Sequence, residues 1–438
     1  MSSYLKVIPY SEFYIWDAKH YFSKAVNSTL KIDRLGNHIR EESHRVKLNE
    51  EPDTLFGILG ISNVKGMFDA YEEYGKNINQ SYKKVENNYI AYNPYRVNVG
   101  SIGIKTDALK YAFISPAYVV FSCKETMLPE YLFLLMKSKR FNAVIRDNTS
   151  GSVRQNLSFK TLSNLQIPIP SIEQQKQLIT DYYNALEKCN NLLKKSADIY
   201  DQINDIFRKE LFIEDIQNPE SKMFTTVKAS SLSKRWDAWD KHMKYKSNVF
   251  DYTDFGNYVI SEPQYGAGEK GLDEFTGIRY IRITDINEDG TLNEEIISAA
   301  KSEDKYKLKE NDFLIARSGN TVGKTYLYKN SDGPAIYAGY LVRYELDNKK
   351  VIPEYMLFYT KSFLFKSWIE SAQRISGQPN INGQEYLLAS VIVPSIEIQQ
   401  KIVEKATKLR DQALKIKNDY KTSLEKAKDD FANKIFAF

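Results

Sequence analysis

The chain is written twice. Ile167-Pro168-Ile169-Pro170-Ser171-Ile172-Glu173-Gln174-Gln175 returns as Val391-Ile392-Val393-Pro394-Ser395-Ile396-Glu397-Ile398-Gln399, and Ser171 meets Ser395 at an offset of 395 − 171 = 224. The same offset carries Pro129-Glu130-Tyr131 onto Pro353-Glu354-Tyr355, Asn156-Leu157 onto Asn380-Ile381, Tyr89 onto Phe313 and Phe56 onto Tyr280. Upstream it slips to 236 − 16 = 220, where Trp16-Asp17-Ala18 meets Trp236-Asp237-Ala238 and Leu35-Gly36-Asn37 meets Phe255-Gly256-Asn257. A unit used twice has to fold as two similar bodies, and it suits a partner that is itself two-fold or bipartite. At 438 residues, each copy is long enough to bury its own core.

Composition narrows the classes further. No apolar run approaches the roughly 20 residues that span a bilayer. Met1 to Tyr10 has neither the basic nor the apolar region of a signal peptide. Cys123 and Cys189 are the only cysteines and form no C-x-x-C, which fits a reducing, cytoplasmic location without disulfides. Net charge is +5, from 61 basic and 56 acidic residues. That balance permits a polyanionic partner without requiring one, because clustering on one face matters more than the sum.

The pattern within each copy is α+β. Thr54 to Ile61 and Ile278 to Ile283 read as short strands bounded by turn residues, as do Asn88 to Tyr92 and Asp312 to Ala316. Pro129 and Pro353, each followed by Glu, read as helix starts. After each Pro-Ser the texture changes. Ser171 to Phe212 contains no Gly or Pro and opens on Ser171-x-x-Gln174, a capping box. Apolar residues at Ile179, Tyr182, Leu186, Cys189, Leu193, Tyr200, Ile203 and Phe207 step by three and four, interrupted at Ser196. The second copy runs Ile402, Ala406, Leu409, Ala413, Ile416, Tyr420, Ala427 and Phe431, with Ser423 at the polar gap. Each helix, about 42 residues, would be about 60 Å long. The matching seams predict an antiparallel intramolecular coiled coil, a pseudo-two-fold strut with a domain at each end. The predicted organisation is a first domain over 1–170, a central helix over 171–215, a second domain over 216–394 and a C-terminal helix over 395–438.

Self-contained catalytic chemistry is not legible. Arg317 to Thr325 superficially matches a phosphate loop, but only three residues separate Gly319 from Gly323, and Tyr326-Leu327-Tyr328 reads as a strand where a helix is required. Asn93-Pro94-Tyr95 lacks the second proline of the amino-methyltransferase box and reads as a turn after a strand. His20, His38, His44 and His242 have no partners at metal-ligand spacing, and His38 and His44 read as surface residues. What remains is recognition chemistry. Asn93 to Gly103, Ser150 to Ser158, Arg317 to Thr325 and Ser376 to Gly383 combine Gly with residues that pair with phosphates and base edges. The candidate DNA contacts are Arg96, Asn98, Ser101, Arg154, Gln155 and Asn156 in the first copy. In the second they are Arg317, Ser318, Asn320, Lys324, Gln378 and Asn380.

The doubled P-S-I-E box entering a heptad helix, preceded by I-P-I in the first copy and V-I-V in the second, resembles the specificity subunit of Type I restriction-modification enzymes. The W-D-A opening, Pro116-Ala117-Tyr118-Val119-Val120-Phe121, the P-E-Y helix and the S-G-x-x-x-N-[LI] loop look like its target recognition domains. Ile398, standing where the first box has Gln174, departs slightly from the pattern. The resemblance implies two target recognition domains, each reading half of a bipartite site in double-stranded DNA. It implies helices that space the half-sites and dock two methyltransferase subunits, through seam positions such as Ile179, Tyr182, Leu186, Leu193, Tyr200, Ile203, Phe207, Ile402, Leu409, Ile416 and Tyr420. It implies no catalysis and no cofactor in this chain. S-adenosylmethionine belongs to the methyltransferase subunits, which modify adenine N6, and ATP and Mg to restriction subunits that cut DNA. The alternative is a scaffold with two protein-binding modules on a coiled-coil strut.

Overall fold

The computed structural model describes residues 7, 28–97, 100–148, 156–216, 244–372 and 379–436. Both W-D-A boxes lie outside the described residues. The chain divides into two compact units, one of residues 1–193 with 418–438 and one of residues 194–417. Both are mixed helix and strand, and the boundaries fall inside the two long helices, Ile172–Glu210 and Ile396–Asn433.

In the first unit, strand Ile32–Arg34 pairs antiparallel with Gln166–Pro168, so the end of the copy is stitched to its start. A four-stranded antiparallel sheet follows in the order Ile39–Glu41, Val119–Cys123, Ile90–Tyr92, Ile102–Ile104. The predicted strand at 54–61 is found as Leu55–Ser62, half of a long hairpin with Gly66–Tyr74 in a five-stranded sheet. Helices Pro129–Met136, Lys139–Asn148 and Phe159–Asn164 close the core around Tyr92, Phe121, Tyr131 and Phe141, all fully buried.

The second unit repeats that order. Thr253–Asp254 pairs with Ser390–Val391. The matching four-stranded sheet runs Gln264–Tyr265, Leu341–Tyr344, Phe313–Ala316, Thr325–Leu327. Helices Pro353–Lys361, Phe363–Ala372 and Gly383–Leu387 follow. The strand expected at 278–283 is shorter, Arg279–Ile281, and pairs in parallel with Ala335–Tyr337. Each helix opened by Pro sits where the sequence put it, because proline lacks the N–H that a first helical turn leaves unpaired.

The glutamine inside each repeated box is completely buried. Gln175 Oε1 accepts the Leu128 N–H at 2.8 Å, and Nε2 donates to the carbonyls of Thr126 (3.0 Å) and Pro170 (2.9 Å). Gln399 makes the same three bonds in its own unit, to Ile352 N–H (2.8 Å), Lys350 O (3.0 Å) and Pro394 O (2.8 Å). Each amide thus ties the first turn of a long helix to the segment that launches the Pro-Glu-Tyr helix. Tyr131 and Tyr355 reinforce the tie by donating to Pro168 O (3.3 Å) and Ile392 O (2.7 Å). The capping box forms as expected in the first copy, with Gln174 N–H to Ser171 Oγ at 3.3 Å and Ser171 N–H to Gln174 Oε1 at 2.9 Å. Ile398 cannot reciprocate. There the Ser395 hydroxyl bonds the Glu397 carboxylate and holds its pKa below the usual range.

The long helices span 39 and 38 residues. In the first unit Tyr182 packs edge-on against Phe431 (5.7 Å between centroids), and Lys434 Nζ meets Asp181 at 2.6 Å. Leu178 and Ile179 share that core with Phe431 and Ile435. In the second unit Ile203, Phe207, Ile402 and Ala406 share one core, flanked by Tyr200 and Leu409. Glu210 takes Lys401 and Lys405, each at 2.7 Å, and Ser196 Oγ donates to Ala413 O at 2.9 Å. Within that unit the late residues of one helix meet the early residues of the other, so the two segments run antiparallel.

Two sequence expectations need correction. Leu193 is not in the seam but 43% exposed, while Ser196, read as an interruption, is 3% exposed at its centre. The face in use runs Tyr182, Cys189, Ser196, Ile203. Small Ser196, Ala406 and Ala413 let the backbones approach until a hydroxyl reaches a carbonyl across the helices. Leu186, Ile416 and Tyr420 lie half-buried along its margins. His38 is also not a surface residue. It is 8% exposed, with Nδ1 at 2.7 Å from Thr126 Oγ1 and Nε2 at 3.3 Å from Asp33 Oδ2. His44 is exposed as expected.

Gln175→Ala strands a buried N–H and two carbonyls, and should destabilise the first unit by about 2–4 kcal/mol. Gln399→Ala should do the same to the second. Denaturant melts followed by amide exchange at Leu128 and Ile352 read the two separately, and unaltered protection in both variants would refute the clamp. Ala413→Asp should unfold the helix pair, because it buries an unpaired charge. Leu193→Asp should change stability by no more than about 0.5 kcal/mol. Thermal melts by circular dichroism check the ranking, and a reversed order would restore the heptad reading.

Candidate nucleic-acid interface

In each unit the central strand of the four-stranded sheet delivers the chain to an edge where two polar loops meet. In the first unit, strand Ile90–Tyr92 ends at Asn93, whose Oδ1 accepts the Tyr95 N–H at 3.0 Å, an Asx turn. Arg96 N–H donates to Asn93 O (3.1 Å) and Ser101 N–H to Arg96 O (3.1 Å), closing the loop on itself. The second loop is docked by Leu157 N–H to Pro94 O at 3.0 Å and by Tyr92 OH to Leu157 O at 3.1 Å. Arg96 and Asn156 are thus brought to one edge, both exposed. Ser101 is 6% exposed and serves the loop through its main chain. Asn98, Arg154 and Gln155 lie outside the described residues.

The second unit builds the same junction from different side chains. Strand Phe313–Ala316 ends at Arg317, whose N–H donates to Tyr340 O at 3.0 Å and whose carbonyl accepts the Ile381 N–H at 3.0 Å. Gly319 N–H donates to Pro379 O at 2.9 Å, and Ser318 and Asn380 face one another across a β-bridge. Arg317, Ser318 and Asn380 therefore share one surface, beside exposed Asn320. Gly323, at φ +85°, turns the loop back into strand Thr325–Leu327, a conformation other residues resist. That strand confirms that no phosphate-binding helix follows this loop. Gln378 lies outside the described residues.

Lys324 is placed differently from the other candidates. Its Nζ lies 3.0 Å from Glu288 and 3.3 Å from the Ile286 carbonyl. It lines a cavity of about 220 Å³ with Lys361, Lys366 and Glu370. Lys361 Nζ donates to Thr325 O at 2.7 Å, and burial pushes its amine down to about 7. A polyanion reaching Lys324 would have to displace Glu288.

Sequence reasoning missed Tyr265 and Tyr340. The Arg317 guanidinium lies over both rings, at 5.0 and 5.7 Å from their centroids. Tyr265 comes from a strand two places away in the sheet and Tyr340 from the turn that enters the strand between them, so no local pattern links them to Arg317. Lys361 was missed for the same reason. Among the described residues no group of His, Cys, Asp and Glu could hold a metal ion, and no helix is long and apolar enough to cross a membrane.

The family model of the Type I restriction modification DNA specificity domain matches residues 57–203 and 256–426. The Type I restriction enzyme MjaVIII specificity subunit of Methanocaldococcus jannaschii is 22% identical over 343 residues, covering 74% of this chain and 73% of that protein. The EcoBI specificity subunit of Escherichia coli is 23% identical over 276 residues, covering 61% and 56%. The fold is similar, with a TM-score of 0.50 at 15% identity, to a chain solved in work on complex assembly and conformational transition of the type I R-M system. That match covers 93% of this chain and 98% of the other. Matched twice over, in both of its copies, the chain belongs to the Type I restriction-modification DNA specificity family.

Proposed function

We propose that each unit reads one half of a bipartite, asymmetric site in double-stranded DNA. The observation that carries this is one junction built twice from different side chains. Asn93 and Arg317 hold corresponding places at the ends of corresponding strands, while Asn156 and Asn380 hold the facing loop. Equivalent construction gives two readers, and unequal chemistry gives two different half-sites. Arg96 and Asn156 are the described contacts of the first unit, and Arg317, Ser318, Asn320 and Asn380 those of the second; Asn98, Arg154, Gln155 and Gln378, outside the described residues, stay candidates on sequence alone. Lys324 contributes only by exchanging Glu288 for a phosphate.

The two long helices act as an antiparallel coiled-coil spacer with pseudo-two-fold symmetry. The antiparallel contacts within the second unit support that reading. A strut of about 58 Å bounds the separation of half-sites, and one helical turn of DNA, roughly 34 Å, is the natural spacing. The strut docks two methyltransferase subunits. They supply S-adenosylmethionine chemistry at adenine N6, and restriction subunits supply ATP- and Mg-dependent cleavage. This chain itself contributes recognition without catalysis, in the cytoplasm.

Removing seven residues, one heptad, from each helix keeps the seam in phase. It shortens the strut by about 10 Å, or roughly three base pairs. Methylome mapping should then show the same half-sites at a smaller gap, and altered half-site bases would defeat the spacer assignment. Binding of the assembled complex to cognate DNA should weaken steeply with salt, in a linear log-log relation. A flat salt response would favour the protein-binding scaffold instead.

A further inference from the structure

We propose that Arg317 is a preorganised reader of one guanine in the second unit's half-site. The inference rests on the DNA-reading assignment above and adds a single base to it.

A phosphate also accepts the guanidinium fork, but from many directions, so such a contact gains little from one fixed plane. A guanine edge demands more, because O6 and N7 must meet two parallel N–H groups in a fixed fork. Arg317 is held in the second manner. Its main chain is bonded on both sides, to Tyr340 O and from Ile381 N–H. Its guanidinium lies over the Tyr265 and Tyr340 rings, and Nε donates to Gly339 O at 3.3 Å. Those contacts orient the plane and, among the described residues, leave the two terminal nitrogens uncommitted. Much of the rotamer entropy that binding would otherwise cost is already lost in the free protein.

The other described arginines of this unit are used up. Arg208, Arg282, Arg343 and Arg410 sit on Asp215, Asp285, Asp312 and Asp411, and Arg279 donates to the Asn293 carbonyl. Among the described residues Arg317 has no carboxylate partner. Tyr265 and Tyr340 are 41% and 57% exposed, so the held fork stands at the surface, flanked by the uncharged Ser318 and Asn380. In the first unit the same place is taken by Asn93, whose side-chain Oδ1 is spent on Tyr95 N–H. A guanine read from this place in the fold is therefore expected in one half-site only.

The test uses the complex with its methyltransferase subunits on a DNA library randomised through both half-sites. Arg317→Lys keeps the charge and removes the fork. Preference for G at one position of one half-site should fall by roughly tenfold to a hundredfold, with every other position unchanged. Intact readout of the other half-site reports that the variant complex is folded. Tyr340→Ala leaves the fork but frees it, and should weaken preference at the same position with an unchanged salt slope. The inference is overturned if both variants keep full preference, or if the position lost is not guanine. It is equally overturned if Arg317→Ala weakens all sequences alike and flattens the salt slope by about one, the mark of a phosphate contact. In each of those cases wild-type specificity leaves the two-reader assignment standing. If the wild-type complex shows no sequence preference, that assignment falls and takes this inference with it.

Discussion

One buried amide in each unit decides where a long helix points. Gln175 and Gln399 each hold three main-chain groups at 2.8–3.0 Å, with no exposure to solvent. A hydrogen bond of this kind adds only about 1 kcal/mol when made, but a buried group left unpaired costs about 1–3 kcal/mol. The clamp therefore works mainly by excluding alternatives. Any other direction for the helix leaves an N–H and two carbonyls stranded in the interior. The Pro-Glu-Tyr helix, the closing strand and the long helix are all positioned by that one side chain, so a loop-bearing sheet and the start of a long helix are oriented as a single body within each unit.

The helix contacts obey a second constraint, which is closeness rather than apolarity. Ser196, Ala406 and Ala413 are small, and their burial brings backbone near backbone. Larger groups take over toward the core of each unit, with Phe207 against Tyr355 and Tyr359 in one and Tyr182 against Phe431 in the other. Charge closes the pairing at Glu210 with Lys401 and Lys405, and at Asp181 with Lys434. Such pairs are worth little apiece where exposed and act more as register marks than as glue.

Much of this was legible in the residues. The duplication, the proline-started helices, the capping box at Ser171 and the strands leading to Asn93 and Arg317 all rest on local chemistry, which a sequence states directly. Leu193 and Ser196 were misassigned because periodicity was weighed by apolarity. The neighbouring helix instead selects the face where small residues permit approach. His38 looked exposed because nothing nearby announces Thr126, 88 positions away. Tyr265 and Tyr340 could not be tied to Arg317 for the same reason, since strand neighbours in a sheet are set by topology rather than by spacing. The box glutamine was visible as a repeated letter, yet its burial was not, because sequence alone does not reveal which carbonyls it will face.

The central claim is that two similar units read two different half-sites at a fixed separation. Single-molecule methylation mapping of the host genome, with and without this gene, tests it most directly. The account predicts one class of methylated adenines that disappears with the gene, in a motif of two unlike short half-sites flanking a gap of constant length and indifferent sequence. A continuous motif, two identical half-sites, or no change in methylation despite an active partner methyltransferase would contradict it.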